Sequence, residues 1–221
     1  MTMTPRLRKT VLTAHITFSV GWLGATAGFE ALAVAGLASQ KVERVRAAYL
    51  AMEPTAWFVI VPFAFASLLT GLVMSLGTRW GLFRHYWILA KFLINTLAIA
   101  ILLLHTQLIS YVAGAAAQQT LFSEDLRGAR IQLAVIAGAA MLALLVATTL
   151  AVFKPRGMTP YGKRKQQEWR ETLGGSTPDD NRTIGGGLPL GLKLFLAVLG
   201  VIVVVIIVVH LAGGGFGSHG R

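Results

Sequence analysis

The sequence predicts an all-α, multi-pass helical membrane protein: a four-helix transmembrane bundle plus a fifth, peripheral transmembrane helix at the C-terminus. Three observations carry this. The 221 residues are 55% hydrophobic and only 13% charged, with a mean hydropathy of +0.66, where a soluble domain is about a quarter charged. Apolar runs long enough to cross a bilayer, about 20 residues each, recur along the chain at 11–38, 54–76, 86–112, 131–153 and 188–212. The basic residues lie mainly in the segments between these runs or at their ends.

The elements follow in order. A basic lead-in with Arg6, Arg8 and Lys9 precedes the first run. That run is too long for the apolar core of a signal peptide and is interrupted by His15 and Glu30, so it reads as a retained span. Residues 40–53 read as a polar connector. Pro54, well placed at a helix start, opens the second span, and Pro62 predicts a kink in it. A short loop with Arg79, Trp80 and Arg84 leads to the third span. A connector with Glu124, Asp125, Arg127 and Arg130 then leads to the fourth. The bundle is thus assigned to 1–153. Residues 154–187 form a basic cytoplasmic segment, KPRGMTPYGKRKQQEWRE, and a flexible linker, GGSTPDDNRTIGGG. The fifth helix takes 188–212, and the Gly-rich tail 213–221 reads as disordered.

The net charge is +11. Because the basic residues flank apolar spans, the partners this implies are the bilayer and its anionic lipid headgroups; nucleic acid is not expected. Lys41, Arg44, Arg46, Arg127, Arg130 and Arg221 fall on one side and the other fourteen of the twenty on the opposite side. The positive-inside rule therefore places the N-terminus in the cytoplasm and the C-terminus outside, in a bacterial inner (plasma) membrane. No cysteine is present, which removes disulfides, thiolate metal sites and covalent c-type haem.

Polar residues inside apolar helices mark the interior of a bundle. In the third span Lys91, Asn95 and His105 share a stripe, Asn95 about 40° to one side of Lys91 and His105 about 40° to the other. In the first, Ser19, Trp22, Thr26 and Glu30 lie between about −20° and +60° of His15, with Gly21, Gly24 and Gly28 allowing close approach. In the second, Ser67, Thr70, Gly71 and Met74 share a face. His15 and Lys91 fall at one depth, and Glu30 and His105 at another, which predicts a Glu30–His105 hydrogen bond or ion pair. The fifth run has no polar side chain between Leu194 and Val209, hence its peripheral place.

Histidine on an inward face is the usual axial ligand of b-type haem. His15 with His85, or His105 with His210, are the pairs that depth allows. His85, His210 and His219 read as ordinary interfacial or tail residues, which leaves His15 and His105 as the candidate iron ligands. Lys91 is the candidate partner of a propionate or other carboxylate, against the alternative that it snorkels to the headgroups. Glu30 and Asn95 are a polar stripe that serves either a proton or ion path or helix packing. Trp22, Trp57, Trp80 and Trp87 suit interfacial anchoring or packing. No metalloprotease, P-loop, dinucleotide or nucleophile-elbow motif occurs on a suitable element, which favours a non-enzymatic protein.

HITFSVGWLGA, with His15, Trp22 and Gly24, resembles the first helix of a bacterial predicted-integral-membrane family, a domain of unknown function. It is also distantly similar to copper-resistance protein D and to the membrane protoporphyrinogen oxidase of haem synthesis. The third span, with Trp87, Lys91 and His105, resembles the W-x-x-x-K…H arrangement of that oxidase, although the fourteen-residue Lys-to-His spacing is longer than the oxidase pattern. The resemblance covers spans one to three and implies His15 as a haem ligand with Lys91 beside it. The functional expectations are b-type haem or porphyrin binding through His15 and His105; a non-catalytic scaffold or binding protein; or a small permease with a path through Glu30, Asn95 and His105. A homo-oligomer or a membrane-protein partner is open.

Overall fold

The computed structural model describes residues 3–77, 82–118, 124–153 and 158–172, together with Lys193, Ala197 and Gly200. Six α-helices account for almost all of them: α1 (Pro5–Ala38), α2 (Val42–Thr55), α3 (Val61–Leu76), α4 (Tyr86–Ala117), α5 (Glu124–Phe153) and α6 (Pro160–Thr172). A π-helical turn at Ala56–Ile60 joins α2 to α3 without a break. Among the described residues four elements are therefore long and apolar enough to cross a membrane: α1, the continuous Val42–Leu76 rod, α4 and α5. At about 1.5 Å per residue the 34-residue α1 is about 50 Å long, longer than the ~30 Å hydrocarbon core. The fifth helix, expected over 188–212, and the 213–221 tail lie outside the described residues apart from Lys193, Ala197 and Gly200, which are helical.

The four rods run up and down around a ring. α1 packs on α2, α3 and α5, and α4 packs on α5, α2 and α3. Side-chain pairs give the register. On the α1–α3 side Ser19 meets Ser67, and on the α1–α2 side Gly36 meets Tyr49. Between α1 and α5 Glu30 lies against Gly138, and between α2 and α4 Glu53 meets Ser110. Adjacent helices are antiparallel in every one of these pairs. The buried core includes Trp22, Phe29, Tyr49, Met52, Ile60, Ile109, Val112 and Leu133.

The expected polar connector at 40–53 is a helix instead. Its charged residues Glu43, Arg44 and Arg46 alternate with Val45, Ala48, Tyr49 and Met52, which fall at i, i+3, i+4 and i+7 and are all buried. Polarity dominated the reading of this stretch, whereas the packing follows its period. Pro54 accordingly does not open a span; it sits inside α2. The Thr55 hydroxyl donates to the Ala51 carbonyl at 2.7 Å. The ladder then widens, with the Val61 N–H reaching back to the Ala56 carbonyl, before Pro62 enters at the start of α3. Between two prolines that lack an N–H, the chain takes a π turn rather than a break at Pro62.

The fourth span begins earlier than expected, so that Arg127 and Arg130 are helical. Part of the basic stretch after it is also helical. Pro160 stands at the start of α6, and the Gly162 N–H donates to the Thr159 hydroxyl at 3.1 Å, a capping contact that satisfies an otherwise open donor.

Gly21 and Gly36 set how closely α1 meets its neighbours. A Cβ on Gly21 would strike the Phe63 ring, and one on Gly36 would lie 2.7 Å from the Tyr49 ring. Gly21→Leu is expected to destabilise the bundle by about 1–3 kcal/mol through overpacking, whereas Gly24→Leu, where nothing lies within 4 Å, is expected to be nearly neutral. Unfolding midpoints of the two variants in detergent measure the difference.

Candidate functional site

Polar groups inside the bundle fall into two layers with an apolar cleft between them. The first layer lies toward the end where α1 begins. There the His15 ring spans from α1 to α3, its Nδ1 3.1 Å from the Ser67 carbonyl and 3.1 Å from the Thr70 hydroxyl. The Thr70 hydroxyl hydrogen is already directed to the Ala66 carbonyl at 2.6 Å. Since a carbonyl only accepts, Nδ1 carries the proton and donates to both oxygens, leaving Nε2 with its lone pair. Ser19 and Ser67 hydroxyls meet one turn deeper, at 2.8 Å. The imidazole fits because Gly71 has no Cβ; one there would stand 3.0 Å from His15 Cε1. Lys91 lies within electrostatic range of His15. One turn on from Lys91, the Asn95 Oδ1 is buried and has no hydrogen-bond partner.

The second layer lies at the opposite end. Arg130, only 8% exposed, extends from α5. Its Nε donates to the Tyr49 hydroxyl at 3.1 Å and its Nη2 to the Gly36 carbonyl at 2.7 Å. Its guanidinium also lies 5.2 Å over the Tyr49 ring, a favourable cation–π geometry. Ser110 donates to Glu53 Oε1 at 2.5 Å, and Arg46 Nη2 reaches the Ala117 carbonyl at 3.5 Å.

Between the layers, α1, α4 and α5 enclose a cleft of about 90 Å³. Its walls include Trp22 and Phe29 from α1, Leu102 and Ile109 from α4, and Leu133 and Ala137 from α5, with Ile60 of the π turn at one edge. Thr26 and His105 supply the polar atoms. Thr26 spends its hydroxyl on the Trp22 carbonyl at 3.0 Å. His105 Nδ1 donates to the Ile101 carbonyl of its own helix at 2.8 Å, which fixes the tautomer and leaves Nε2 as an acceptor. Trp22 is therefore a wall of the cleft rather than an interfacial anchor, whereas Trp57 is exposed on the rod surface.

The residues singled out from sequence divide accordingly. His15 and Lys91 share the first layer, His105 stands in the cleft, and His15 is not among the cleft's lining residues. Glu30 does not bond His105. Its Oε1 lies 3.5 Å from where a Gly138 Cβ would stand, and its buried Oε2 has no partner. Glu30 instead lies against Gly138 of α5, where no Cβ stands in its way, and the bond that His105 makes runs from Nδ1 to its own helix. His85 stands at the start of α4, paired by a backbone bridge with Met158. His210 and His219 lie outside the described residues. Among the described residues no group of three or more His, Asp or Glu could hold a metal ion. Arg130 and Tyr49, which organise the second layer, were not singled out from sequence, although Tyr49 continues the period of Val45, Ala48 and Met52.

For b-type haem, the donor chemistry at His105 fits one axial ligand, an imidazole oriented through its Nδ1 bond to the Ile101 carbonyl, with Nε2 the atom that would meet the iron. The enclosed volume is small for a macrocycle, since binding clefts for compact ligands begin near ~300 Å³; the helices lining the cleft must separate to admit one. No protein-family model, no curated protein and no solved structure matches this chain.

Replacing Ser19 and Ser67 by Ala, singly and together, is expected to yield a coupling energy of about 0.6 kcal/mol, the usual value for an interhelical hydrogen bond in a bilayer. A double-mutant cycle on unfolding in mixed micelles measures it.

Proposed function

We propose that this chain is a non-catalytic membrane binding protein whose middle cleft takes an apolar, membrane-soluble ligand, with His105 as its polar contact. Supporting this is one observation: a cleft with apolar walls whose single histidine is locked in a tautomer that keeps Nε2 open. b-type haem or a porphyrin is the ligand class an imidazole acceptor of this kind suits. The proposal retains the orientation derived from Lys and Arg placement, with the α1 start in the cytoplasm of a bacterium, and a peripheral fifth helix over 188–212.

Absorption spectra of the purified protein, oxidised and dithionite-reduced, test this directly. A Soret band lost in His105→Ala and retained in His15→Ala is the expected result for haem at the cleft. A featureless spectrum, together with no organic molecule extracted from wild type and missing from His105→Ala, overturns the binding reading.

A second reading rests on a different observation. Two buried oxygens, Glu30 Oε2 and Asn95 Oδ1, lack partners, and an unpaired buried acceptor carries a cost of about 1–3 kcal/mol. Such groups suit a polar path that a proton or small cation enters transiently. On this reading, cation- or proton-dependent flux in proteoliposomes disappears in Glu30→Gln. Unchanged flux, or none in wild type, removes it.

A further inference from the structure

Helix α6 is polar in sequence yet displays two large aromatics to the outside, Tyr161 at 55% and Trp169 at 65% exposure. Together with Lys165 they fall at i, i+4 and i+8, one continuous stripe on a regular helix. The helix is not free to drift into solution. The Thr159 N–H donates to the Arg84 carbonyl at 3.0 Å, and the Thr159 hydroxyl donates to the Phe83 carbonyl at 2.5 Å. Gly162 lies so close to the Arg84 backbone that a Cβ would not fit. Met158 bridges to His85, the residue immediately before α4.

These ties hold the α6 start one residue from an apolar rod, and α5, another apolar rod, ends only at Phe153. The start of α6 thus lies at the level where two membrane-length helices meet the polar phase. Arg164 flanks the aromatic stripe, about 100° from its centre, while Lys163 and Arg170 point to the far side, at about 140–160°. Lys165 pairs with Glu168 at 2.8 Å within the stripe's own side of the helix. In the sequence 154–172, six basic residues stand against two acidic ones.

We infer that α6 is an interfacial helix that lies on the bilayer with Tyr161 and Trp169 turned to the acyl boundary and Arg164 and Lys165 among anionic phospholipid headgroups. Indole and phenol rings favour that depth, and the basic residues add electrostatic attraction to an anionic surface. The inference requires that α1, α2–α3, α4 and α5 cross the bilayer, which reconstitution itself establishes, and it is independent of what the cleft binds.

The test uses the full chain in nanodiscs of phosphatidylcholine, with or without phosphatidylglycerol, and brominated acyl chains as quencher. Trp169 emission is isolated by subtracting the signal of Trp169→Phe. Quenching is expected to be stronger in the anionic discs and to fall as salt is raised. R164Q/K165Q is expected to lower the ratio of surface-bound to free α6 by about fivefold per charge removed. K163Q/R170Q removes the same charge from the far side and is expected to do clearly less. Equal quenching in neutral and anionic discs overturns the inference, as does an equal effect of the two double variants.

Discussion

One buried arginine ties three of the four rods together. Arg130 comes from α5, bonds the α2 hydroxyl of Tyr49 and the α1 carbonyl of Gly36, and stacks on the Tyr49 ring. A guanidinium taken out of water is costly unless its N–H groups are satisfied, so it tolerates few arrangements of its neighbours. Gly36 must lack a side chain, since the Tyr49 ring occupies the space of a Cβ. Tyr49 must be helical and inward-facing, so α2 has to begin before it. The pairing fixes the axial register of α1, α2 and α5, and with it the depth of the polar side chains those helices carry.

Register in turn creates the separation of layers. With Arg130 and Tyr49 at one end and His15, Ser19, Ser67 and Thr70 at the other, the middle of the bundle is left to Trp22, Phe29, Leu102, Ile109 and Leu133. Among the cleft's lining residues Thr26 and His105 are the polar exceptions, and each bonds a carbonyl of its own helix, Trp22 and Ile101. The first layer is bonded through hydroxyls and a backbone carbonyl. It holds α1 to α3 without an ion pair between the residues that form it. Packing alone accounts for most of what the polar residues do; among the described residues Glu30 Oε2, Arg46 Nε and Asn95 Oδ1 are the buried atoms it leaves without a partner.

The four rods were legible because membrane-length apolar runs are a strong signal, and the polar stripes were legible because a 3.6-residue period survives in them. The grouping of His15 with Ser19, and of Ser67 with Thr70 and Gly71, needed only that period; their meeting across α1 and α3 needed the fold. The start of α2 was hidden by Glu43, Arg44 and Arg46, whose charge outweighed the buried period of Val45, Ala48, Tyr49 and Met52. Arg130 was hidden for the same reason, as a charge in what read as a connector. The Glu30–His105 pairing failed because equal depth on two helices does not decide which way a side chain turns. Glu30 lies against Gly138 of α5, and the hydrogen bond of His105 goes to a carbonyl of its own helix.

The Arg130 knot also orders events in time. Gly36 and Tyr49 leave the ribosome 94 and 81 residues ahead of Arg130. At ordinary elongation rates that is an interval on the order of ten seconds. Over that interval α3 and α4 are made as well, so three rods precede the residue that ties α1, α2 and α5 together, and the Tyr49 hydroxyl and Gly36 carbonyl gain their arginine only with the fourth.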